Sequence, residues 1–312
     1  MKTNYTIHSL SHHFGWDNSF TPVIEVKSGE IIEIETVDSS GAQLDLNSTI
    51  EDVKNLDFSK VNPVTGPIYI ENAELGDVIE IELIDFISSG WGWTAIIPGF
   101  GLLAEEFKKP DIYLWTYDKS KPIESFYSTY GKVPLKPFVG TIGLALKEKG
   151  NHSVVPPRHC GGNLDIKELS KGSKIKFPVQ VPGGLLSLGD THAAQGDGEV
   201  CGTAIESPMK VLIKINLIKN MKINSPQFET FGPASNHIDK DGYFVTTGIG
   251  PDLMEGAKNS IRSMIDLLIQ KFNIPDTKAY MFCSVCADLR ISEIVDMPNW
   301  VVSCYFPKSV FE

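Results

Sequence analysis

The sequence predicts a mainly-β protein of barrel-like or sandwiched sheets, with an α+β part at its C-terminal end. Three observations carry that prediction. Apolar and polar residues alternate with a period of two in short runs between Tyr5 and Ile218, the pattern of half-buried strands. Glycine followed by one polar residue opens such a run at Gly29-Glu30, Gly76-Asp77 and Gly172-Ser173, which reads as hairpin turns. Sustained helical spacing begins only after Pro251. The organisation that follows is an N-terminal β domain over 1–150, a β segment over 151–222 and an α+β part over 223–312.

Taken in order, Tyr5 to Leu10 and Val23 to Val37 read as strands, with Ser28-Gly29 as a turn. Between them, Ser11-His12-His13-Phe14-Gly15-Trp16-Asp17 sets two histidines and an acid beside a glycine, the make-up of a site loop. Ile50 to Phe58 suits one short helix. Val64 to Ile70 and Val78 to Phe86 are strands around Gly76-Asp77, the second with Glu80, Glu82 and Asp85 facing water. Trp91, Trp93 and Phe100 lie in a glycine-aromatic stretch that serves either as an apolar wall over a small ligand or as a plug in the core. Leu102 to Phe107 reads as a helical turn. Lys136 to Lys147, apolar with two glycines, reads as a buried strand, and Met209 to Ile218 as a long one. Asp252 caps a helix whose inward face runs Met254, Ala257, Ile261, Met264, Ile265, Leu268 and Phe272, stopped by Asn273-Ile274-Pro275. A second helix follows from Asp276 to about Ala287, and Trp300 to Phe306 closes the chain as a strand.

Composition excludes several classes. A net charge of −11 over 312 residues, with scattered lysines, argues against a nucleic-acid surface. No run approaches the ~18–20 apolar residues of a spanning helix, and no signal-peptide core precedes Tyr5, so a cytoplasmic protein without membrane contact is expected. Five cysteines, at 160, 201, 283, 286 and 304, cannot all pair and do not form a disulfide framework. Cys283 and Cys286 have C-x-x-C spacing but lack the second pair of a structural zinc site, so they read as small core residues.

Chemistry concentrates between Gly189 and Glu206. Asp190, His192, Gln195, Asp197, Glu199 and Cys201 stand among Gly189, Gly196, Gly198 and Gly202. Glycines at that density let the backbone turn sharply and approach a ligand. Asp190 and His192 are two apart, on one face of an extended strand, and together suit a divalent metal taking nitrogen and oxygen ligands. The Gly-Asp-Gly-Glu turn can swing Glu199 back as a general base. Upstream, Pro156-Pro157-Arg158-His159-Cys160-Gly161-Gly162-Asn163-Leu164-Asp165 offers Asn163, able to donate to and accept from an amide, and Asp165, able to ligate a metal or orient a histidine.

Gly189-Asp190-Thr191-His192-Ala193-Ala194-Gln195-Gly196-Asp197-Gly198-Glu199, continuing into Cys201-Gly202-Thr203-Ala204-Ile205-Glu206, closely resembles the signature of the acetamidase/formamidase family. The resemblance extends to His13 with Gly15-Trp16-Asp17, to the Gly66-Pro67 strand with its Gly76-Asp77 turn, to His159 through Asp165, and to Asp288-Leu289-Arg290-Ile291. Phe14 separates the histidines from Gly15-Trp16, so either His12 or His13 matches the family's histidine; His13 is preferred. The resemblance implies hydrolysis of short aliphatic amides, formamide or acetamide, to a carboxylate and ammonia. It implies a divalent ion, zinc by expectation, on His13, Asp190 and His192. Glu199 would be the base, with Asp165 a supporting catalytic group. Asn163, Gln195 and Asp17 would bind the amide. A calcium ion in the acid-rich loops and a homodimer complete the expectation. Two rivals stand beside it: a non-catalytic β protein that binds a small ligand or metal, and a cysteine-dependent amide hydrolase using Cys160 or Cys201.

Overall fold

The computed structural model describes residues 3–231 and 241–311, and strands dominate it. Two six-stranded sheets face one another. The first runs Tyr5–Ile7, Ile31–Glu35, Met209–Ile218, Val78–Ser88, Lys174–Pro178 and Gln227–Glu229. The second runs Gly161–Asn163, Phe138–Gly143, Leu186–His192, Val64–Ile70 and His12–His13, with Ile24–Val26 parallel to Val64–Ile70. Their inner faces supply one core of aliphatic side chains, Ile32, Ile34, Ile81 and Ile213 from one sheet meeting Ile68, Val139, Ile142 and Leu188 from the other. The sheets are sandwiched rather than closed into a barrel.

Alternation explains the outer face of the first sheet. Lys176 stands opposite Glu80 in register, its Nζ 3.2 Å from the carboxylate, and Lys210 stands opposite Glu35 at 2.9 Å. Opposite charges directly across a sheet are the favourable arrangement for residues that must face water.

The glycine turns do a different job from the one expected. Ile24–Val26 belongs to the second sheet and Ile31–Glu35 to the first, so Ser28-Gly29 carries the chain across the sandwich. Gly76-Asp77 likewise joins Val64–Ile70 to Val78–Ser88, and Gly172-Ser173 lies between Gly161–Asn163 and Lys174–Pro178, again in opposite sheets. These are arches between layers, not hairpins. Local sequence specifies a tight reversal, but which neighbour each strand pairs with depends on distant partners.

A second core lies beside the sandwich. The helix Leu253–Phe272 is capped by Asp252, whose carboxylate accepts from the Glu255 amide, and ends at Asn273 with a left-handed backbone (φ 54°). It covers the sheet Tyr243–Gly250, Trp300–Pro307, Asp288–Glu293 with Ile261, Met264, Ile265 and Leu268. Met254, placed by its spacing on the same stripe, is exposed in the first turn of the helix. The helix Asp276–Cys286 is buried from Ala279 to Val285, with Cys283 a core residue and Cys286 half-buried at its end. Trp115 and Tyr127, from Asp111–Thr116 and Glu124–Tyr127, stack at 5.1 Å within this core. Ala193, Ala194, Val200, Cys201 and Ile205 belong to it too. The glycine-rich motif therefore has an apolar side buried in the second core, and its acids turn the other way. No helix among the described residues is long and apolar enough to cross a membrane.

Candidate active site

Leu186–His192 runs through the middle of the second sheet and is buried at every residue. Near its end the backbone of Asp190 enters the left-handed region (φ 49°), interrupting the regular pairing with Phe138–Gly143. Gly140 lies opposite. A Cβ there would meet Asp165 Oδ1 at 2.7 Å and His192 Cε1 at 2.9 Å, so the glycine makes room for the acids. His192 Nε2 stands 3.0 Å from Asp190 Oδ1 and 3.2 Å from Glu206 Oε2. Glu206 reaches this point because its backbone bridges both His192 and Trp93. Its carboxylate also accepts from Ser39 Oγ (2.7 Å) and the Ala204 amide (2.8 Å).

The other ring nitrogen decides the charge state. Gln195 Nε2 donates to the Asp165 carbonyl at 2.8 Å, which leaves Gln195 Oε1 to accept from His192 Nδ1 at 2.9 Å. Nδ1 therefore carries hydrogen. A neutral ring would then point the Nε2 lone pair at two carboxylates, a repulsive contact inside the fold. Either a proton or a metal cation must sit there. Burial by itself would lower the His192 pKa, but Glu206 and Asp190 outweigh it and hold the imidazole well above its usual range. Burial likewise works to raise Asp190, yet His192 keeps that carboxyl below its ordinary value; Glu206 is raised by burial.

A second pair of acids faces the same histidine. Asp165, His192 and Glu199 offer ligand atoms within 4.8 Å of one another, as do Asp190, His192 and Glu206. Burial, then the Asp190 charge, lifts Asp165 to about 7; burial, then Asp165, lifts Glu199 well above the carboxylate range. Both keep some open surface because they line a cavity. Asp165 Oδ1 is buried without a hydrogen-bond partner, a vacant acceptor in a group of four carboxyls that includes its own. Asp165, Asp190 and Glu199 all have positive φ (50°, 49° and 42°), unusual for non-glycine residues and a form of strain that gathers at functional sites.

The cavity, about 180 Å³, has these acids with Asn62, Asn163 and Thr203 as its floor. Leu56, Phe58, Val61, Trp93, Ile97, Phe100 and Val155 form apolar walls. Trp93 and Phe100 thus take the wall role, and Trp93 Nε1 donates to Asp38 at 3.0 Å, which fixes its ring. Thr141 Oγ1 donates to Asn163 Oδ1 (2.5 Å) and lies 3.2 Å from Asp190 Oδ2, linking the amide to the acid.

The structure therefore brings together Asp190, His192, Glu199, Asp165 and Asn163. It does not bring His13 to them. His13 Nδ1 donates to the Gly15 carbonyl (2.9 Å) and Nε2 meets Ser187 Oγ (2.9 Å), so both nitrogens are engaged at the sheet edge beside Val64. His12 is engaged with the Ser9 carbonyl. Asp17 accepts from the Ser19 amide and hydroxyl, capping a turn, and is not part of the cavity wall. Gln195 bonds His192 and the Asp165 carbonyl and is not among the residues that line the cavity. Cys160 and Cys201 are buried outside the cavity lining, and burial pushes both thiols up to about 11, far from a thiolate nucleophile. Both acid clusters share His192; among the described residues no separate group of three such side chains converges in the acid-rich loops where calcium was expected. Glu206 was not among the expected site residues. Its signal in the sequence is that it closes the Cys201-Gly202-Thr203-Ala204-Ile205-Glu206 stretch of the motif. Asn62 and Ser39 carry no signal in their polar loop.

A sequence model of the Acetamidase/Formamidase family matches residues 2–149 and 144–312. The formamidase of Methylophilus methylotrophus is 27% identical over 374 residues, covering 96% of this chain and 89% of its own. A solved gamma lactamase from Delftia acidovorans superposes with a TM-score of 0.89 at 26% identity, covering 97% of this chain and 90% of its own. The acetamidase of Bacillus halodurans gives a TM-score of 0.68 at 30% identity, covering 97% of each chain.

Proposed function

Because the chain belongs to the acetamidase/formamidase family, it is an amidohydrolase acting on short linear amides, and we propose that it hydrolyses them with a metal-activated water. One observation carries the metal: His192 Nε2, with its partner nitrogen given to Gln195, lies between two carboxylates and calls for a cation. The unpaired Asp165 Oδ1 and the space kept by Gly140 fit the same conclusion. Asp190, His192 and Glu206 would hold the ion, with Glu206 in the place first given to His13. One imidazole among carboxylates suits zinc, which when bound lowers the pKa of a water toward ~7 and polarises a carbonyl.

The chain's own groups do the rest. Asn163, its oxygen held by Thr141, presents its amide nitrogen to the substrate carbonyl. The apolar walls receive the acyl group and keep bulk water out. Glu199 takes the proton as water oxygen bonds to the carbonyl carbon, and returns it to nitrogen as the C–N bond breaks, releasing ammonia and a carboxylic acid that then loses its proton to solvent. Asp165, beside Glu199 and raised to about 7, shares that proton between the two steps. Seven apolar side chains around the floor favour an acyl group with carbon to bury over the bare hydrogen of formamide.

Ammonia release from formamide, acetamide, propionamide and butyramide tests the reading. Activity should rise from formamide to the larger amides, vanish on chelation and return with zinc. Full turnover in verified metal-free enzyme would eliminate the scheme, and a preference for formamide would eliminate the specificity.

A further inference from the structure

Glu199 sits on a loop whose conformation is held from outside it. Within the loop, the Glu199 amide donates to the Gly196 carbonyl (3.1 Å) and its carbonyl accepts from Gly202 (2.8 Å), but its φ of 42° is one that a glutamate does not adopt unaided. The restraint comes from the helix Asp276–Cys286 and the residues just beyond it. Tyr280 Oη donates to the Val200 carbonyl and accepts from the Leu103 amide at 2.8 Å. Ser284, one turn on, accepts from the Cys201 amide at 3.1 Å and donates to the Thr203 carbonyl at 2.7 Å. Its own carbonyl accepts from Gly196 at 2.8 Å. Asp288 accepts from the Asp197 amide at 3.0 Å and is paired with the buried Lys167.

These three residues recur at four-residue spacing, the repeat of one helical face, with Asp288 just past the helix end. Tyr280 and Ser284 are fully buried and Asp288 nearly so. Their side chains occupy backbone groups on both sides of Glu199: Asp197 before it, Val200, Cys201 and Thr203 after it. Gly196 packs so closely that a Cβ would lie 1.9 Å from the Ala287 carbonyl oxygen. Apolar packing alone would not demand three polar side chains in a buried face; each is there with its hydrogen bonds satisfied.

We propose that Tyr280, Ser284 and Asp288 are positioning residues for the reaction, acting through the loop backbone to hold the Glu199 carboxyl in the cavity beside Asp165. None of them touches the cavity. The proposal rests on Glu199 as the proton carrier. Losing one anchor lets the loop relax toward ordinary φ values and moves the carboxyl away from the reacting atoms. Displacements of about 1 Å at such a distance from the chemistry cost up to ~100-fold in rate.

The test compares Tyr280→Phe, Ser284→Ala and Ser284→Thr in the zinc-loaded full chain, with acetamide as substrate and thermal midpoints recorded. Tyr280→Phe and Ser284→Ala should each lower kcat roughly 10-fold or more, within the range that misplacement of this kind produces, and leave KM nearly unchanged. Ser284→Thr, which keeps the hydroxyl, should recover most of the lost kcat. A purely structural role would lower the thermal midpoint and leave kcat per folded molecule as it was; that result overturns the proposal, as does a loss that Thr fails to relieve while Tyr280→Phe is normal. Glu199→Gln, run alongside, separates the two readings: normal turnover there removes Glu199 itself, whereas an inactive Glu199→Gln with fully active Tyr280→Phe and Ser284→Ala removes only the positioning.

Discussion

His13 and His192 are both strand histidines of the same sheet, and they differ in what their second nitrogen meets. His13 is satisfied as a neutral ring: Nδ1 donates to the Gly15 carbonyl, and Nε2 accepts from the Ser187 hydroxyl. His192 is satisfied only as a cation or beside one, since Nδ1 donates to Gln195 while Nε2 faces Asp190 and Glu206. Burial lowers the His13 pKa, and the two carboxylates raise that of His192. The same residue type is thus a structural plug in one place and a candidate ligand in another. His13 lies half-buried on the edge strand and His192 fully buried on the central one, but it is the partners of the second nitrogen that set the two apart chemically.

The comparison can be broken most decisively at His192. His192→Ala should abolish activity and, in the metal-free protein, destabilise by about 3–5 kcal/mol, the usual cost of leaving buried charges unpaired. Urea unfolding of the chelated protein measures it; an unchanged midpoint would show the carboxylates to be neutral. Next in size, Glu199→Gln should lose ~10²–10⁴ in kcat with zinc content intact, since it removes a general base but no ligand; elemental analysis with single-turnover kinetics checks both halves. Gln195→Leu frees His192 Nδ1 from its acceptor and should weaken zinc binding or turnover by roughly 10–100-fold, read by competition with a chromogenic chelator. His13→Gln should leave activity within about twofold and lose about 1 kcal/mol, one net hydrogen bond. Loss of zinc in that variant would restore His13 as a ligand.

Titration sharpens the contrast by sign. A histidine with a lowered folded pKa binds fewer protons folded than unfolded, so the His13 contribution favours stability as pH rises and is lost as pH falls below 6.5. His192 in the metal-free protein runs the other way: its contribution is full below 6.5 and is lost as pH rises through the raised folded pKa. Unfolding of chelated wild type, His13→Gln and a His192 variant across pH 5–8 should give difference slopes of opposite sign; equal signs would place both rings in like environments.

Much of the fold was legible because its signals are local. Alternation in Val78–Ser88 and Met209–Ile218 comes from one wet and one dry face, and Asp252 with Asn273 marks both ends of a helix. The arches at Gly29, Gly76 and Gly172 were not, since a turn's residues specify its reversal but not whether the flanking strands pair or part into separate layers. In the site, Asp190, His192 and Glu199 were readable from one dense motif. Glu206 closes the same motif, but its place beside His192 depends on pairing that the motif does not specify. Asp17 lies in a turn outside the cavity lining; an acid in a Gly-Trp-Asp turn looks alike whether it caps a turn or meets a ligand.

What the chain determined by itself is the supply of groups: a β scaffold from periodicity, glycines where the backbone must turn, and a crowd of acids around one histidine. Tertiary structure alone decided their use. It brought Glu206 to His192 through the Trp93 bridge, paired Gln195 with Nδ1, and set Tyr280, Ser284 and Asp288 against the loop of Glu199. The physical reason is that a protonation state or a ligand set depends on what lies within a few ångströms, and in a sandwich those neighbours come from strands and helices far apart in sequence.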